Sequence, residues 1–560
     1  MSRNLTTIAA CLLGAVLACV CVLQSQVNAA QEPAAGEYVL KAESPLVILD
    51  VVVTDKKGRP VHGLKASDFT VLEKDQKMTL QSFEEYRADQ SPPPARQEAR
   101  QALSPNVFTN VADTRSGGPL NILLMDALNT PVADQVYLRE QMLEYVKKVP
   151  EGTCIAIFGL TNRLYVLQGF TTDPAVLKAD VQMFRAKEVS LPLALRGPYT
   201  RAAMQDLARY LSGLSGRKNL IWFSGSFSPR IVRDLDRINP VGAAAELADD
   251  VKWTANLLTR SRVAVYPVDV RGLFSNPDMS AAVAGPPEGG PMNPGAWLNS
   301  EGHFLDRSAN EHVGMKMLAE ETGGKAFYNT NGLKGALQEA INDGSNYYTL
   351  TYVPTDRRWD GRYRGVRVKL DQPGMDLFYR QGYFAYDPND SRGDRGKTPP
   401  MSVMDSAMQF GGPSPTQILF MAKIVPAAGR ENALAPTNQP NVKEKEMRPP
   451  YRHYTVWYGT DLKNVAFTAT PDGVHHGSLE FEILLYNPNG ELINAIREMT
   501  KVRLPTRDES RGWSGLEFHQ SIDAPAKGEY FLRIGVHDLG SGRVGAVEVP
   551  LAAIPPAGVP

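Results

Sequence analysis

Asn121-Ile-Leu-Leu-Met-Asp126 is the stretch that decides how this chain is read. A strand with one wet face alternates apolar and polar side chains. A short unbroken apolar run ending in a carboxylate is instead a strand buried on both faces, the usual state of a parallel sheet covered by helices. Just beyond it the period changes: Leu138, Met142, Tyr145, Val146 and Val149 recur at helical spacing between Ala133 and Val149. The same alternation continues outward. Strands are predicted at Thr153–Leu160, Leu164–Phe170, Lys218–Phe223 and Val263–Asp269, with a short sixth at Lys325–Tyr328. Helices are predicted at about 200–214, 243–260 and 310–322, and a last one runs to about 342. Only Thr161-Asn-Arg163 separates the second strand from the third, a connection short enough to force an antiparallel pair. Residues 119–343 therefore read as an α/β domain with a doubly wound, mainly parallel sheet. Such sheets bind ligands beyond the carboxyl ends of their strands, which here are Asp126, Phe223-Ser-Gly-Ser226 and Asp269.

The flanks follow β periodicity. Residues 38–86 form a small β module, in which Val47-Ile-Leu-Asp-Val-Val-Val-Thr54 is its most β-branched run. A polar linker covers 87–118 and includes Pro92-Pro-Pro94. Extended patterns return over 344–386, and their pairing with the first module would make the α/β domain an insertion in a sandwich. A second linker, 387–400, contains Arg392-Gly-Asp394, read as a chance tripeptide in a solvated stretch. In 401–560, Leu479, Phe481, Ile483 and Leu485 share a face, Asn489-Gly490 signals a hairpin, and Tyr530, Leu532, Ile534 and Val536 alternate. That is an all-β, sandwich-like domain.

Residues 1–30 have the pattern of a secretory signal: Arg3, the apolar run Ile8–Leu23, then Val27-Asn28-Ala29. An uncleaved anchor is the alternative. No later stretch is apolar enough to span a bilayer, so no integral span is expected after cleavage, and the location is secreted or periplasmic. Three of the four cysteines lie in this leader, and Cys154 sits in an apolar strand as a small hydrophobe. The net charge of −1 makes no electrostatic case for nucleic acid. There is no zinc-protease, hydrolase-elbow or phosphate-loop motif. His475-His476 reads as turn surface, Asp249-Asp250 as a solvated helix face, and Trp222 and Trp457 as core. No enzyme is expected.

Several blocks resemble the exported proteins related to the von Willebrand factor A (VWA) domain that are common in acidobacteria: Leu49–Val61, Leu123–Thr130, Ala208–Gly225, Tyr347–Tyr352 and Arg380–Tyr383. The resemblance covers about 38–386. It implies a VWA-like fold that binds another protein at the top of the sheet. It also implies a metal-ion-dependent adhesion site, which ordinarily combines Asp-x-Ser-x-Ser, a Thr from a second loop and an Asp after the fourth strand. Here that pattern is degenerate. Asp126, Thr130 and Thr200 would be the oxygen ligands of Mg²⁺ or Mn²⁺, Leu128 replaces the first Ser, and Ser224 stands where the Asp would be. Asn129, Ser224, Ser226 and Asp269 would form the ligand-binding rim. The competing reading is that Asp126 and Thr130 bond backbone N–H groups in the loops. Three roles remain open to the sequence: a protein-binding or adhesion module, a scaffold for a cell-envelope complex, and a metal-assisted hydrolase.

Overall fold

The computed structural model describes residues 46–88, 104–111, 119–227, 252–271, 308–385, 402–441, 447–504 and 518–556, apart from 151, 215, 253, 310, 330, 331, 461 and 470–473. The expected signal, the Pro92-Pro-Pro94 segment, Arg392-Gly-Asp394 and Asp249-Asp250 lie outside the described residues.

The chain is mixed α/β with several sheets. Its α/β sheet runs in the order Val263–Asp269, Lys218–Ser224, Leu120–Asp126, Ile155–Leu160, Leu164–Thr171. The first four strands are parallel and the last is antiparallel to its neighbour. Leu120–Asp126 is the central strand and is buried along its whole length. On one face Ile122, Leu124, Phe158 and Trp222 pack under Met204, Leu207 and Leu211 of the helix Leu193–Ser212. On the other, Leu123, Met125, Ile157 and Phe223 pack under Leu138 and Met142 of Val132–Val146 and under Leu337 and Ile341 of Leu333–Ser345. Two apolar faces explain the missing alternation, and each such aliphatic side chain contributes about 1.5–3 kcal/mol by leaving water.

Two sequence expectations change here. Thr200 lies inside the helix Leu193–Ser212, not in a loop. Lys325–Tyr328 contributes only a parallel bridge from Phe327 to Val268, not a sixth strand. Gly324 sits so close to Val265 that a Cβ there would fall 1.9 Å from its carbonyl oxygen.

Val47–Asp55 pairs with both Tyr347–Tyr352 and Met375–Phe378, so the chain on either side of the α/β sheet shares one sandwich. A facing sheet of Gly382–Phe384, Tyr363–Leu370, Phe69–Glu73 and Gln76–Lys77 closes a core that includes Leu49, Val51, Val71, Leu350 and Val368. The C-terminal sheets are likewise two. One contains Phe518–Pro525, Tyr451–Thr460 and Phe420–Pro426, and the other is centred on His475–Tyr486. Their shared core includes Phe420, Val456, Phe481 and Ile534. Trp457, expected in that core, instead faces outward and lies against the His519 ring, because its neighbours Val456 and Tyr458 take the inward positions. The linker expected at 87–118 needs correction, because Val107–Thr109 is a strand on the edge of the first of these sheets. Asn110 then fixes the segment by donating to the carbonyls of Pro415 and Ile418. A three-residue strand between polar neighbours carries too little periodicity to be seen in sequence.

Contacts at Arg262 and at Thr416 are among those that tie these parts together. Arg262 (φ +55°), in the turn leading into Val263–Asp269, reaches Asp50 with Nη2 2.6 Å from Oδ1 and Nε 3.1 Å from Oδ2. Thr349, which faces Asp50 across the strand pair, also donates to Oδ1. At the end of Leu193–Ser212, Thr416 Oγ1 donates to Tyr210 O at 2.7 Å and accepts from Gly213 N at 3.0 Å. A side chain at Gly213 would collide with the Thr416 carbonyl 2.3 Å away.

The Arg262–Asp50 pair is mostly buried, and removing one partner strands the other. Arg262→Ala and Asp50→Ala should each cost about 3 kcal/mol in urea unfolding, with the double variant losing clearly less than the sum. Additive losses would show that the pair does not couple.

Candidate functional site

The sheet order reverses beside Leu120–Asp126, so the carboxyl end of that strand is where a cleft would be sought. Asp126 lies there with 1% of its surface exposed. Its Oδ1 accepts Asn129 N–H at 3.0 Å. Its Oδ2 accepts Asn129 Nδ2 at 2.8 Å and Trp222 Nε1 at 3.1 Å, and the Ser224 hydroxyl lies 2.9 Å away. Ser224 Oγ is equally near Ser226 O, and its one proton serves one of the two acceptors. Burial pushes the Asp126 carboxyl upward in pKa, and the bonds from Asn129, Ser224 and Trp222 pull it back.

The neighbouring hydroxyls are engaged in the same way. Thr130 Oγ1 accepts Gly225 N–H at 2.9 Å, which joins the loop after the central strand to the loop after Lys218–Ser224. Thr200 Oγ1 donates to Arg196 O one helical turn back and accepts from Asn129 Nδ2. Asp126, Asn129, Thr200 and Ser224 therefore share one hydrogen-bond network, and Thr130 stands apart from it on Gly225.

Ser226 leads to a second cluster that the sequence did not reveal as a unit. Its hydroxyl donates to Glu311 Oε1 at 2.6 Å, and Glu311 Oε2 is 2.8 Å from Arg271 Nη1. Arg271 also holds Asp269 with two side-chain bonds, of 2.9 and 2.7 Å. His312 Nε2 lies 3.1 Å from Asp269 Oδ2, and its ring stacks on Tyr328 with centroids 4.4 Å apart. Burial works against the Asp269 charge, yet His312 and Arg271 hold its carboxyl below the usual value. Of this cluster the sequence pointed to Ser226 and Asp269 as rim residues, and Arg271 two residues on carried no signal of its own. Glu311, His312 and Tyr328 are brought in by tertiary packing. Beside the cluster Val313 is 53% exposed and Tyr328 38%.

As arranged, these residues do not fit Mg²⁺ or Mn²⁺. Such ions need carboxylate and hydroxyl lone pairs aimed at a common point, with room for water. Around Asp126 Oδ2 the approach is taken by N–H hydrogens, which repel a cation. Trp222 cannot turn away, because it is fully buried and packed edge-on against Phe227. Among the described residues no group of three or more His, Cys, Asp or Glu is arranged to hold a metal. In this arrangement Asp126 accepts Asn129 N–H and Thr130 accepts Gly225 N–H, while Thr200 bonds Arg196 and Asn129.

No family model matches the chain, and no curated protein does. Solved structures with some likeness include an aerotolerance-related membrane protein from Bacteroides fragilis, at 13% identity and TM-score 0.25 over 40% of this chain and 99% of that one. A von Willebrand factor type A protein from Catenulispora acidiphila gives 10% identity and TM-score 0.24, covering 46% of this chain and 64% of its own. The three N-terminal domains of the type V pili tip protein from Porphyromonas gingivalis give 8% and 0.25, covering 84% and 76%. Likenesses at such scores decide nothing about what the chain binds.

Asp126→Ala removes the acceptor for Trp222 and Asn129 together. It should cost about 3–5 kcal/mol in equilibrium unfolding, since each orphaned buried donor costs about 1–3 kcal/mol. Millimolar Mg²⁺ or Mn²⁺ should leave the Tm of the unaltered protein unchanged, because a ligand raises Tm only by binding the folded state. The depressed Asp269 carboxyl sets a sign for pH. Its contribution is complete above the unfolded value of about 4 and is lost as pH falls through the lower folded value. Asp269→Asn should therefore show a flatter loss of stability on acidification than the unaltered protein, and parallel curves would contradict this.

Proposed function

We propose that the chain is a protein-binding module that works outside the cytoplasm, without catalysis, and that engages its partner at the carboxyl edge of the α/β sheet without a metal. The observation that carries the reading is the combination at that edge. The polar groups beneath are already bonded to one another, while Val313 and Tyr328 stand exposed beside them. Preformed polar support under exposed apolar and aromatic side chains is the composition of an interface core, where aromatic residues carry much of the affinity. A rigid support also lowers the ordering cost of association.

Export rests on the leader pattern of residues 1–30, and no helix among the described residues is long and apolar enough to cross a membrane. The α/β sheet is also fixed at its amino edge, by Arg262–Asp50 to one sandwich and by Thr416, at the end of Leu193–Ser212, to the other. That suits an element that presents its free edge to a partner.

The test is capture of a partner from cell-envelope extract by the full chain, with and without chelator. Capture should survive the chelator, and the double variant Val313→Ser, Tyr328→Ser should weaken it at least tenfold, as loss of a hot spot does. Loss of capture with chelator would restore a metal-dependent site and overturn the reading. Full capture by the double variant would move the interface elsewhere.

A further inference from the structure

We propose that the loop 355–362, with the outer face of the strand that follows it, is a docking surface for an anionic lipid membrane. This surface is separate from the carboxyl edge of the α/β sheet and does not depend on it. Across 74–77 and 355–371 the chain has eight Lys and Arg against four Asp, while its overall charge is −1. Seven of the eight cations are exposed, and Arg364 is buried. In Tyr363–Leu370 the side chains of Val366 and Val368 enter the core, and Arg367 and Lys369 alternate with them on the solvent side. The turn at Lys74 joins the loop to this face: Lys74 N donates to Gly365 O, and its Nζ lies 4.0 Å from Asp356. Thr355 Oγ1 also bonds Gln76 Oε1, so loop and turn form one surface.

At the loop's tip Trp359 is 43% exposed, with Arg357 and Arg358 before it and Arg362 after it. This is not a slack excursion. The Arg364 guanidinium, buried at 1% exposure, donates to the backbone carbonyls of Asp356 and Arg358 from beneath. Asp356 and Asp360 lie 3.6 and 3.7 Å from that guanidinium, so part of their charge is offset internally. They also accept the N–H groups of Arg358 and Arg362, which fixes the turns on both sides of Trp359. Arg358 holds Asp356 with two bonds, of 3.0 and 3.1 Å, and Arg362 lies 3.9 Å from Asp360, yet both side chains remain 79% and 81% exposed, so the surplus positive charge of the surface comes from Arg357, Lys77 and Lys369 beside them.

A tryptophan held at the apex of a rigid loop and surrounded by arginines matches the chemistry of a lipid headgroup layer. The indole sits at the boundary between acyl chains and headgroups, and the guanidinium groups meet phosphates above it. Charge complementarity selects anionic lipid, and the spread of cations over an open face rather than within a groove favours a surface over a single small anion. Asp75, which pairs with Arg367 at 3.1 Å, and Asp371 limit the patch at its margin.

Sedimentation of the full chain with vesicles tests this. Phosphatidylcholine vesicles containing a third phosphatidylglycerol should retain the protein at low salt and release it at high salt, and pure phosphatidylcholine should retain little. Arg362→Ser should reduce partitioning about fivefold. Trp359→Ala should reduce it as well and abolish any blue shift in fluorescence on binding. Trp457→Ala, at an exposed tryptophan of the C-terminal sheets, should bind as the unaltered protein does. Failure to bind anionic vesicles, equal sensitivity to Trp457→Ala, or retention only by a soluble polyanion such as heparin would each overturn the proposal.

Discussion

The structure depends on one constraint. The central strand Leu120–Asp126 is buried on both faces, and the carboxylate that ends it is buried too. A charge in that position must be met by donors, and the protein supplies them from two directions: its own loop at Asn129, and the neighbouring strand at Trp222 and Ser224. Asn129 Nδ2 also donates to Thr200 Oγ1, which ties the covering helix to the same loop. Each donor fixes the element it comes from. The loops at the top of the sheet are thus positioned by the need to satisfy Asp126, and the second cluster around Asp269 and Arg271 extends that order to the helical segment holding Glu311 and His312.

Three anchor regions result, each of a different kind. At the carboxyl edge the anchors are hydrogen bonds around two buried carboxylates. At the opposite edge Arg262 clamps Asp50, so the sandwich that the chain leaves and re-enters is bound to the sheet by an ion pair. Along the helix Leu193–Ser212 the anchor is backbone-like: Thr416 inserts its hydroxyl into the last turn, with Gly213 leaving the space. The helix meets the Asp126 network at Thr200 and the C-terminal sheets at Gly213.

Much of this was legible in the sequence because burial on two faces removes alternation. The run at 121–126 could only be an interior strand, and the turn Thr161-Asn-Arg163 could only join an antiparallel pair. The grouping of Asp126, Thr130, Thr200 and Ser224 was implied by the resemblance to VWA domains rather than by periodicity, and Thr200 reaches it from a helix instead of a loop. What they do there was not legible. Whether an oxygen faces a cation or an N–H depends on Trp222, read from sequence as plain core, and its indole N–H leaves no trace in periodicity. Val107–Thr109 was hidden because a three-residue edge strand takes its stability from the neighbouring strand rather than from its own pattern. Arg271, Glu311 and His312 come from segments far apart in the chain, and only the folded arrangement brings them together.

Asp126 accepts from protein donors on both oxygens, and the proposal of a metal-independent carboxyl edge rests on that. The most direct measurement is an anomalous difference map from crystals soaked in Mn²⁺. The predicted result is no peak at the carboxyl end of the central strand and an intact Trp222 Nε1 to Asp126 bond. A peak at about 2.1–2.2 Å from Asp126 and Thr130 oxygens, with the indole displaced, would contradict it.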